Sequence, residues 1–463
     1  MKYNTKRNTK TENLAGGLSY AESPKLAFVS SLLTSFLKDK FYATENEQVD
    51  QIKLLIDKLD PQFVAKTALY TRNEFGMRSV SHLVAGEIAK RVHGEKWTRS
   101  FFEQIVRRPD DLLEILSYYF STEKKLSNPL RDGFARALER FDEYKLAKYR
   151  GEGKSVKMVD AVNLCHPKST PAIDKLMKGK LKSFDTWEVE LSKTGGDEEL
   201  KAGAWKKLIL EKKIGYFALL RNLRNIIEQS PDVLNQTLEL LIDENLIKKS
   251  LVLPFRYLTA IKEIQQLNGD GVRQTLIALS KAVDISLSNV PKYDGKTLVV
   301  LDVSGSMEGQ PIEIGSLFAS AMYKSNDTDY MQFSDDALYQ TFNPTDSTLS
   351  LVNQIINSAH PGGTNFHAIF NVVNRKYDRI FIFSDMQGWV GYTSPQRDYL
   401  KYCKEYECNP RIYSFDLAGH GSLQFPENNV YAIAGFSEKT FDIIKLLETD
   451  KNALVNKIES IEL

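Results

Sequence analysis

Residues 302–306 (Asp302-Val303-Ser304-Gly305-Ser306) place one carboxylate and two hydroxyls within five positions. A further hydroxyl, Thr364, follows Gly362-Gly363, and a further carboxylate, Asp385, closes Phe383-Ser384-Asp385. All five side chains are hard oxygen donors, the kind that suits Mg²⁺, Mn²⁺ or Ca²⁺ rather than a soft metal. Mg²⁺ keeps several waters and takes few protein oxygens. Ligation by Ser304, Ser306 and Thr364, with Asp302 and Asp385 close by or acting through water, would leave a position for a carboxylate or phosphate oxygen from outside. These five are the candidate ligands of a divalent ion, Mg²⁺ first.

The same residues make a poor catalyst. An aspartyl phosphotransferase needs a second Asp two positions after its nucleophile, and that position is Ser304. The chain has no Gly-x-x-x-x-Gly-Lys-Ser/Thr phosphate loop, and its six His form no His-Glu-x-x-His pair. No catalytic constellation emerges, and the expectation is a binding protein rather than an enzyme.

A second chemistry lies upstream. Residues 145–182 carry ten Lys and Arg against three acids. Tyr144, Tyr149, His166 and Phe184 are interleaved or adjacent. Cations neutralise phosphates and aromatic rings stack on splayed bases, so the segment fits RNA; on composition a solvated basic surface fits equally. Arg221 and Arg224 are three apart on a predicted helix and share a face, where pairing with acids of a neighbouring helix is the alternative to RNA contact.

The elements that must position these residues fall into two patterns. Up to about residue 290 the chain reads as successive helices. Examples are 26–37, 49–59, 62–74, 79–93, 111–120, 130–149, 213–228, 231–245 and 271–287, often with Pro near the first turn. Paired helices with short connectors suggest an α-solenoid. Residues 166–203 read as a loop-rich excursion or short helices. From residue 296 short apolar strands alternate with helices, which predicts a doubly wound α/β domain over 291–463. Ligands in such folds bind beyond the C-terminal strand ends, where Asp302, Thr364 and Asp385 fall. Residues 1–15 read as a flexible polar tail.

Charge divides along the same line. The whole chain of 463 residues has 61 Lys+Arg and 60 Asp+Glu. Residues 1–300 hold 49 and 39, and residues 301–463 hold 12 and 21. The neutral sum therefore hides a basic helical part that suits a polyanion and an acidic α/β part, and opposite charge could help the two meet. Three Cys cannot make a disulfide framework, and Cys403 and Cys408 are read as thiols in a reducing compartment. The polar start lacks a signal-peptide core, and no run reaches the length of a membrane span, so a cytoplasmic protein without membrane contact is expected.

Two family resemblances sharpen this. Asp-x-Ser-x-Ser, the Thr after Gly-Gly and the later Asp resemble the metal-ion-dependent adhesion site of von Willebrand factor A domains; a loop kept only for folding is the alternative. Residues 63–80 (FVAKTALYTRNEFGMRSV), 162–168 (VNLCHPK), 218–225 (ALLRNLRN) and 253–260 (LPFRYLTA) resemble the TROVE module of Ro autoantigen-type RNA-binding proteins. The resemblance implies a multidomain α plus α/β protein: a HEAT-like α-solenoid ring over 16–290, closed by an A domain over 291–463. It implies a ribonucleoprotein component that binds non-coding, Y-like RNA and single-stranded 3′ ends of misfolded RNA in RNA quality control. It also implies a monomer, with an exoribonuclease or another protein as possible partner through the metal site. By position His166 and Lys168 match the family's His-Pro/Leu-Lys motif, and Lys145, Lys148, Tyr149 and Arg150 match the basic helix end before it. Arg221 and Arg224 complete the candidate RNA-binding set. Arg72 and Arg78 read as structural.

Overall fold

The computed structural model describes residues 10–21, 23–35, 45–181, 191, 194–195, 197–288, 290–391, 394–420, 422–426, 429–433, 439–447, 450 and 452–463. Lys182 and Phe184 of the basic segment, and most of the proposed tail, lie outside them. By internal contact the chain forms two compact units. One draws on Met1–Leu55 and Gly215–Val455, the other on Ile56–Ile214 and Asn456–Leu463.

Among its described residues the second unit contains helices and no strand. Pro61–Glu74 packs on Ser79–Arg91, Ser79–Arg91 on Pro109–Phe120, and Trp97–Ile105 on Asn128–Glu139. Starts follow the expected chemistry. Asp60 accepts from the Phe63 amide at 2.9 Å, with Pro61 in the first turn, satisfying one orphan donor. The helix predicted over 130–149 is two, Asn128–Glu139 and Glu143–Lys148. The break has a local cause, because Asp142 caps the second piece by accepting from the Lys145 amide at 2.8 Å. Within the excursion, Pro171–Met177 is a short helix.

The first unit holds helices Tyr216–Gln229, Phe255–Gln265 and Val272–Ser286 against an α/β layer. Polar ties join the last two of these helices to the layer. Lys262 pairs with Glu313, and Asp284 accepts from the Thr348 amide and Lys324 Nζ, both at 3.1 Å. The layer's strands, numbered along the whole chain after β1 (Lys10–Glu12) and β2 (Leu18–Ala21), are β3 (Thr297–Asp302), β4 (Thr328–Phe333), β5 (Ala337–Gln340), β6 (Arg379–Ser384), β7 (Arg411–Asp416), β8 (Ser422–Leu423) and β9 (Val430–Ile433). Six form one sheet in the order β5-β4-β3-β6-β7-β9, parallel except for the β4–β5 hairpin. Every residue of β3 and β6 is buried, which explains their continuous apolar runs. After β3 the chain builds outward through β4 and β5, then returns to β6 on the other side. The β3–β6 boundary is therefore the switch point where such sheets open a crevice. β1, β2 and β8 form a small antiparallel sheet. Among the described residues no helix is long and apolar enough to cross a membrane.

Candidate functional site

The switch point carries the oxygen donors. Asp302 ends β3, Ser384 ends β6, and their side chains meet: Ser384 Oγ donates to Asp302 Oδ2 at 2.6 Å. Asp302 Oδ1 accepts from the Ser304 amide at 2.9 Å, which turns the chain sharply. Ser304 Oγ lies 3.3 Å from Ser306 Oγ, and Ser306 stands close enough to Asp385 to favour its ionised form. The Gly305 amide donates to the Gly362 carbonyl at 3.1 Å, tying the loop that presents Thr364 to the one that presents Ser304 and Ser306. The five predicted residues are thus brought together, and all are buried.

The two glycines before Thr364 have a steric reason. A Cβ on Gly362 would sit 2.2 Å from Asp335 Oδ2, and one on Gly363 would sit 2.9 Å from Trp389 Cζ2. Neither carboxylate of the site has an ion pair among the described residues. Burial and the neighbouring Asp385 push the Asp302 pKa above the usual carboxylate range, and burial does the same to Asp385. Among the described residues no three His, Cys, Asp or Glu side chains gather as ligands. The donor set here is two acids and three hydroxyls, which fits a hard divalent cation, and two buried acids lacking a counter-cation are what such an ion would relieve.

The sequence missed a support of this site. The N-terminal hairpin lies against the loop after β6: Asn13 Nδ2 donates to the Gly388 carbonyl, and the Leu14 amide to Gln387 Oε1, both at 2.7 Å. Gln387 in turn donates its backbone amide to Asp385 Oδ1 at 3.1 Å. Residues 10–15 therefore hold the loop bearing Asp385. The one signal in sequence was Asn13-Leu14-Ala15-Gly16-Gly17, a turn between two polar segments.

The basic candidates divide between the units. Lys145, Lys148, Tyr149, Arg150, His166 and Lys168 belong to the helical unit, in one neighbourhood. Helix Glu143–Lys148 packs on Pro171–Met177, with Lys175 paired to Glu143 at 2.5 Å. Arg150 Nη2 donates to the Leu181 carbonyl at 3.2 Å, and the Lys168 amide to Glu139 Oε1 at 2.9 Å. Lys145 and Lys168 are exposed and make no ion pair among the described residues. His166 takes a left-handed conformation, φ 52°, as the C-cap of Met158–Cys165, and is exposed. Pro167 then stops the helix. Sequence reasoning missed Arg108, whose guanidinium lies 4.6 Å from the Tyr149 ring, opposite in origin from Lys148 at 5.7 Å. Arg221 and Arg224 sit in the other unit, on Tyr216–Gln229. Arg224 is paired with Glu228 at 3.6 Å and Glu263 at 3.8 Å, the intramolecular alternative raised above.

Arg72 and Arg78 do something else. Both donate to Asp111, which is fully buried: Arg72 Nη2 to Oδ2 at 2.9 Å and Arg78 Nε to Oδ1 at 3.0 Å. His82 Nε2 lies 2.9 Å from Oδ1, and the Arg107 and Arg108 amides donate to Oδ2. Although burial alone would raise it, the bond to His82 and the charge of Arg72 hold the Asp111 pKa far below the usual range.

A model of the TROVE domain matches residues 23–178 and 172–304. The chain belongs to the TROVE-domain family. Within it, telomerase protein component 1 of Mus musculus is 25% identical over 45% of this chain and 11% of its own length. The Rattus norvegicus protein of the same name is 23% identical over the same shares. This TROVE chain thus spans about a tenth of the curated relatives it matches. The RO (RSR) protein of Deinococcus radiodurans, a solved structure, shares the fold with a TM-score of 0.61 at 18% identity, over 90% of this chain and 99% of that one.

Proposed function

We propose that this TROVE protein is an RNA-binding scaffold, taking non-coding, Y-like RNA and misfolded RNA with a single-stranded 3′ end, as a ribonucleoprotein component in RNA quality control. What carries the reading is the neighbourhood of Lys145, Lys148, Tyr149, Arg150, His166 and Lys168. It joins two exposed lysines, Lys145 and Lys168, which make no ion pair among the described residues, to the half-buried Lys148 and Arg150 and to an imidazole and a phenol that can meet a base. A non-glycine residue held left-handed, as His166 is, costs backbone energy, and such strain gathers at functional positions. The reading carries with it the cytoplasmic monomer and the HEAT-like ring closed by a von Willebrand factor A-type domain that the family resemblance implies.

Phosphate contacts would dominate affinity, so binding should fall steeply with salt. Lys145→Glu, Lys148→Glu and Lys168→Glu together should weaken binding of a stem with a 3′ single-stranded tail by at least tenfold in a gel shift. Undiminished binding would remove this surface from the account.

A second reading rests on the two buried acids. Asp302, Ser304, Ser306, Thr364 and Asp385 would hold a divalent ion, Mg²⁺ before Mn²⁺ or Ca²⁺. Bound there, the ion would supply a Lewis-acidic position for an acidic residue of a protein partner, such as an exoribonuclease. This chain's residues orient the donors: Ser384 and the Ser304 amide fix Asp302, and Gln387 fixes Asp385.

A further inference from the structure

Cys403 and Cys408 meet at the end of one helix. Gln396–Glu405 runs into a left-handed residue: Glu407 has φ 48°, and the Cys408 amide donates to the Cys403 carbonyl at 3.0 Å. In this reversal the chain folds back on the last helical turn and sets the side chains at its two ends against each other. A backbone hydrogen bond between two residues keeps their α-carbons within about 7 Å, and a disulfide spans about 4.4–6.8 Å. Both residues are thiols, both are half-buried, and both pack on the apolar cluster that holds Tyr399 and Tyr402 of their own helix. Burial, then Cys408 and Cys403, push the Tyr402 phenol above its ordinary pKa, so the two sulfurs stand near one hydroxyl.

The base of this reversal is fixed. Asp398 Oδ2, on the same helix, lies 2.5 Å from His367 Nδ1, and Tyr402 OH accepts from the Tyr377 amide at 3.0 Å. Its tip is open, because Lys404, Glu405 and Glu407 are exposed. Glycine is the usual residue at a left-handed helix end, so with Glu407 there the reversal carries a backbone cost that a cross-link between its ends would hold in place. The third cysteine has none of this. Cys165 lies in the other unit, and burial pushes its thiol up to about 12, which keeps it protonated and inert. Soft-metal ligation suits the pair less well: two thiolates are too few for a structural zinc site, and among the described residues no third Cys, His, Asp or Glu joins them as a ligand.

We infer that Cys403 and Cys408 form a redox modification site, a dithiol that a small oxidised thiol of the glutathione disulfide class converts reversibly to an intramolecular disulfide. One cysteine thiolate attacks the small disulfide, forming a mixed disulfide and releasing one small thiolate. The other cysteine thiolate attacks the protein sulfur of that mixed disulfide, and the second small thiolate leaves. The two protons lost by the cysteines go to the two released thiolates; the protein pair gives up two electrons and the small disulfide accepts them. The new bond closes the loop 403–408 and locks the helix end in its reversed form. The site is independent of the RNA surface and of the oxygen donors around Asp302.

The test incubates the full chain with glutathione at a series of oxidised-to-reduced ratios, then quenches with acid and alkylates the remaining thiols. Trypsin cuts after Lys404, inside the loop, so the closed form appears by mass spectrometry as Tyr402–Lys404 joined to Glu405–Arg411, lighter by two hydrogens. Wild type should close this pair, retain no glutathione on it and leave Cys165 unoxidised. Cys408→Ser should stop at the mixed disulfide on Cys403, since the second thiol is gone. The equilibrium constant for closure should be at least about tenfold higher in the folded protein than in denaturant, and by reciprocity the oxidised protein should resist unfolding by the same factor. Glu407→Val, whose branched side chain opposes a left-handed φ at an exposed position, should reduce that preference without unfolding the domain. Glutathione retained on both cysteines of wild type would show two independent thiols and overturn the inference. A closure constant no higher in the folded protein than in denaturant would overturn it as well, because the fold would then do nothing to pair them.

Discussion

Asp111 and the Asp302–Asp385 pair are all fully buried carboxylates, and their surroundings are opposite. Asp111 meets two guanidiniums, an imidazole and two backbone amides, all from its own chain. Asp302 and Asp385 meet hydroxyls, amides and each other, with no cation among the described residues. Asp111 is held ionised by neighbours already in place; the pair is pushed toward the neutral form. Burial of an acid is thus no indication of function by itself. What separates a structural acid from a candidate site is whether the chain supplies the opposite charge or leaves it to something else.

Removing the acid is the strongest way to break this contrast. Asp111→Ala strands Arg72, which is nearly buried, takes the Asp111 acceptor from His82, and leaves Arg78 with Asp110 alone. Breaking a buried pair from one side costs about 3–5 kcal/mol. Chemical denaturation followed in the helical unit should show a loss of that size. A loss under about 1 kcal/mol, the range of exposed pairs, would mean the network is far better solvated than its burial indicates.

The pair should respond to an ion and not to truncation. With a divalent ion at a hundred times its dissociation constant, linkage stabilises a protein by about 2.7 kcal/mol. Mg²⁺ added after EDTA treatment should therefore raise the unfolding midpoint of wild type. Asp302→Asn with Asp385→Asn should remove the rise while leaving the EDTA-treated protein at least as stable as wild type, since two mutually repelling acids are gone. An equal Mg²⁺ response in variant and wild type would place the ion elsewhere.

The two regions were also unequally legible in sequence. The Asp302 site could be read because each donor ends a short apolar strand or starts a short loop, and strands buried on both faces announce themselves. Its hold by Asn13 and Gln387 could not, because a contact between residue 13 and residue 388 leaves no periodic trace. Arg72 and Arg78 were visible as residues of a motif string, but the acid they serve lies some thirty to forty residues on, in a Pro-Asp-Asp that reads as an ordinary helix start. Glu143–Lys148 was lost inside a longer predicted helix because Asp142 is unremarkable among polar residues until its carboxylate is seen to cap.

The smallest expected effect is a flat line, and it tests the ionisation of Asp111 directly. A group whose folded pKa is depressed adds stability that is complete above its unfolded value, about 4 for Asp, and is lost as pH falls through the folded value. The stability difference between wild type and Asp111→Asn should therefore not change between pH 7 and about pH 4.5. Below that it should shrink by up to about 1.4 kcal/mol per pH unit, because the unfolded chain takes up a proton that folded Asp111 refuses. Arginine keeps its charge throughout this window, so Arg72 and Arg78 hold Asp111 at every pH tested. A difference that already changes between pH 5.5 and 7 would mean that the network around Asp111 does not hold its carboxylate ionised across that range.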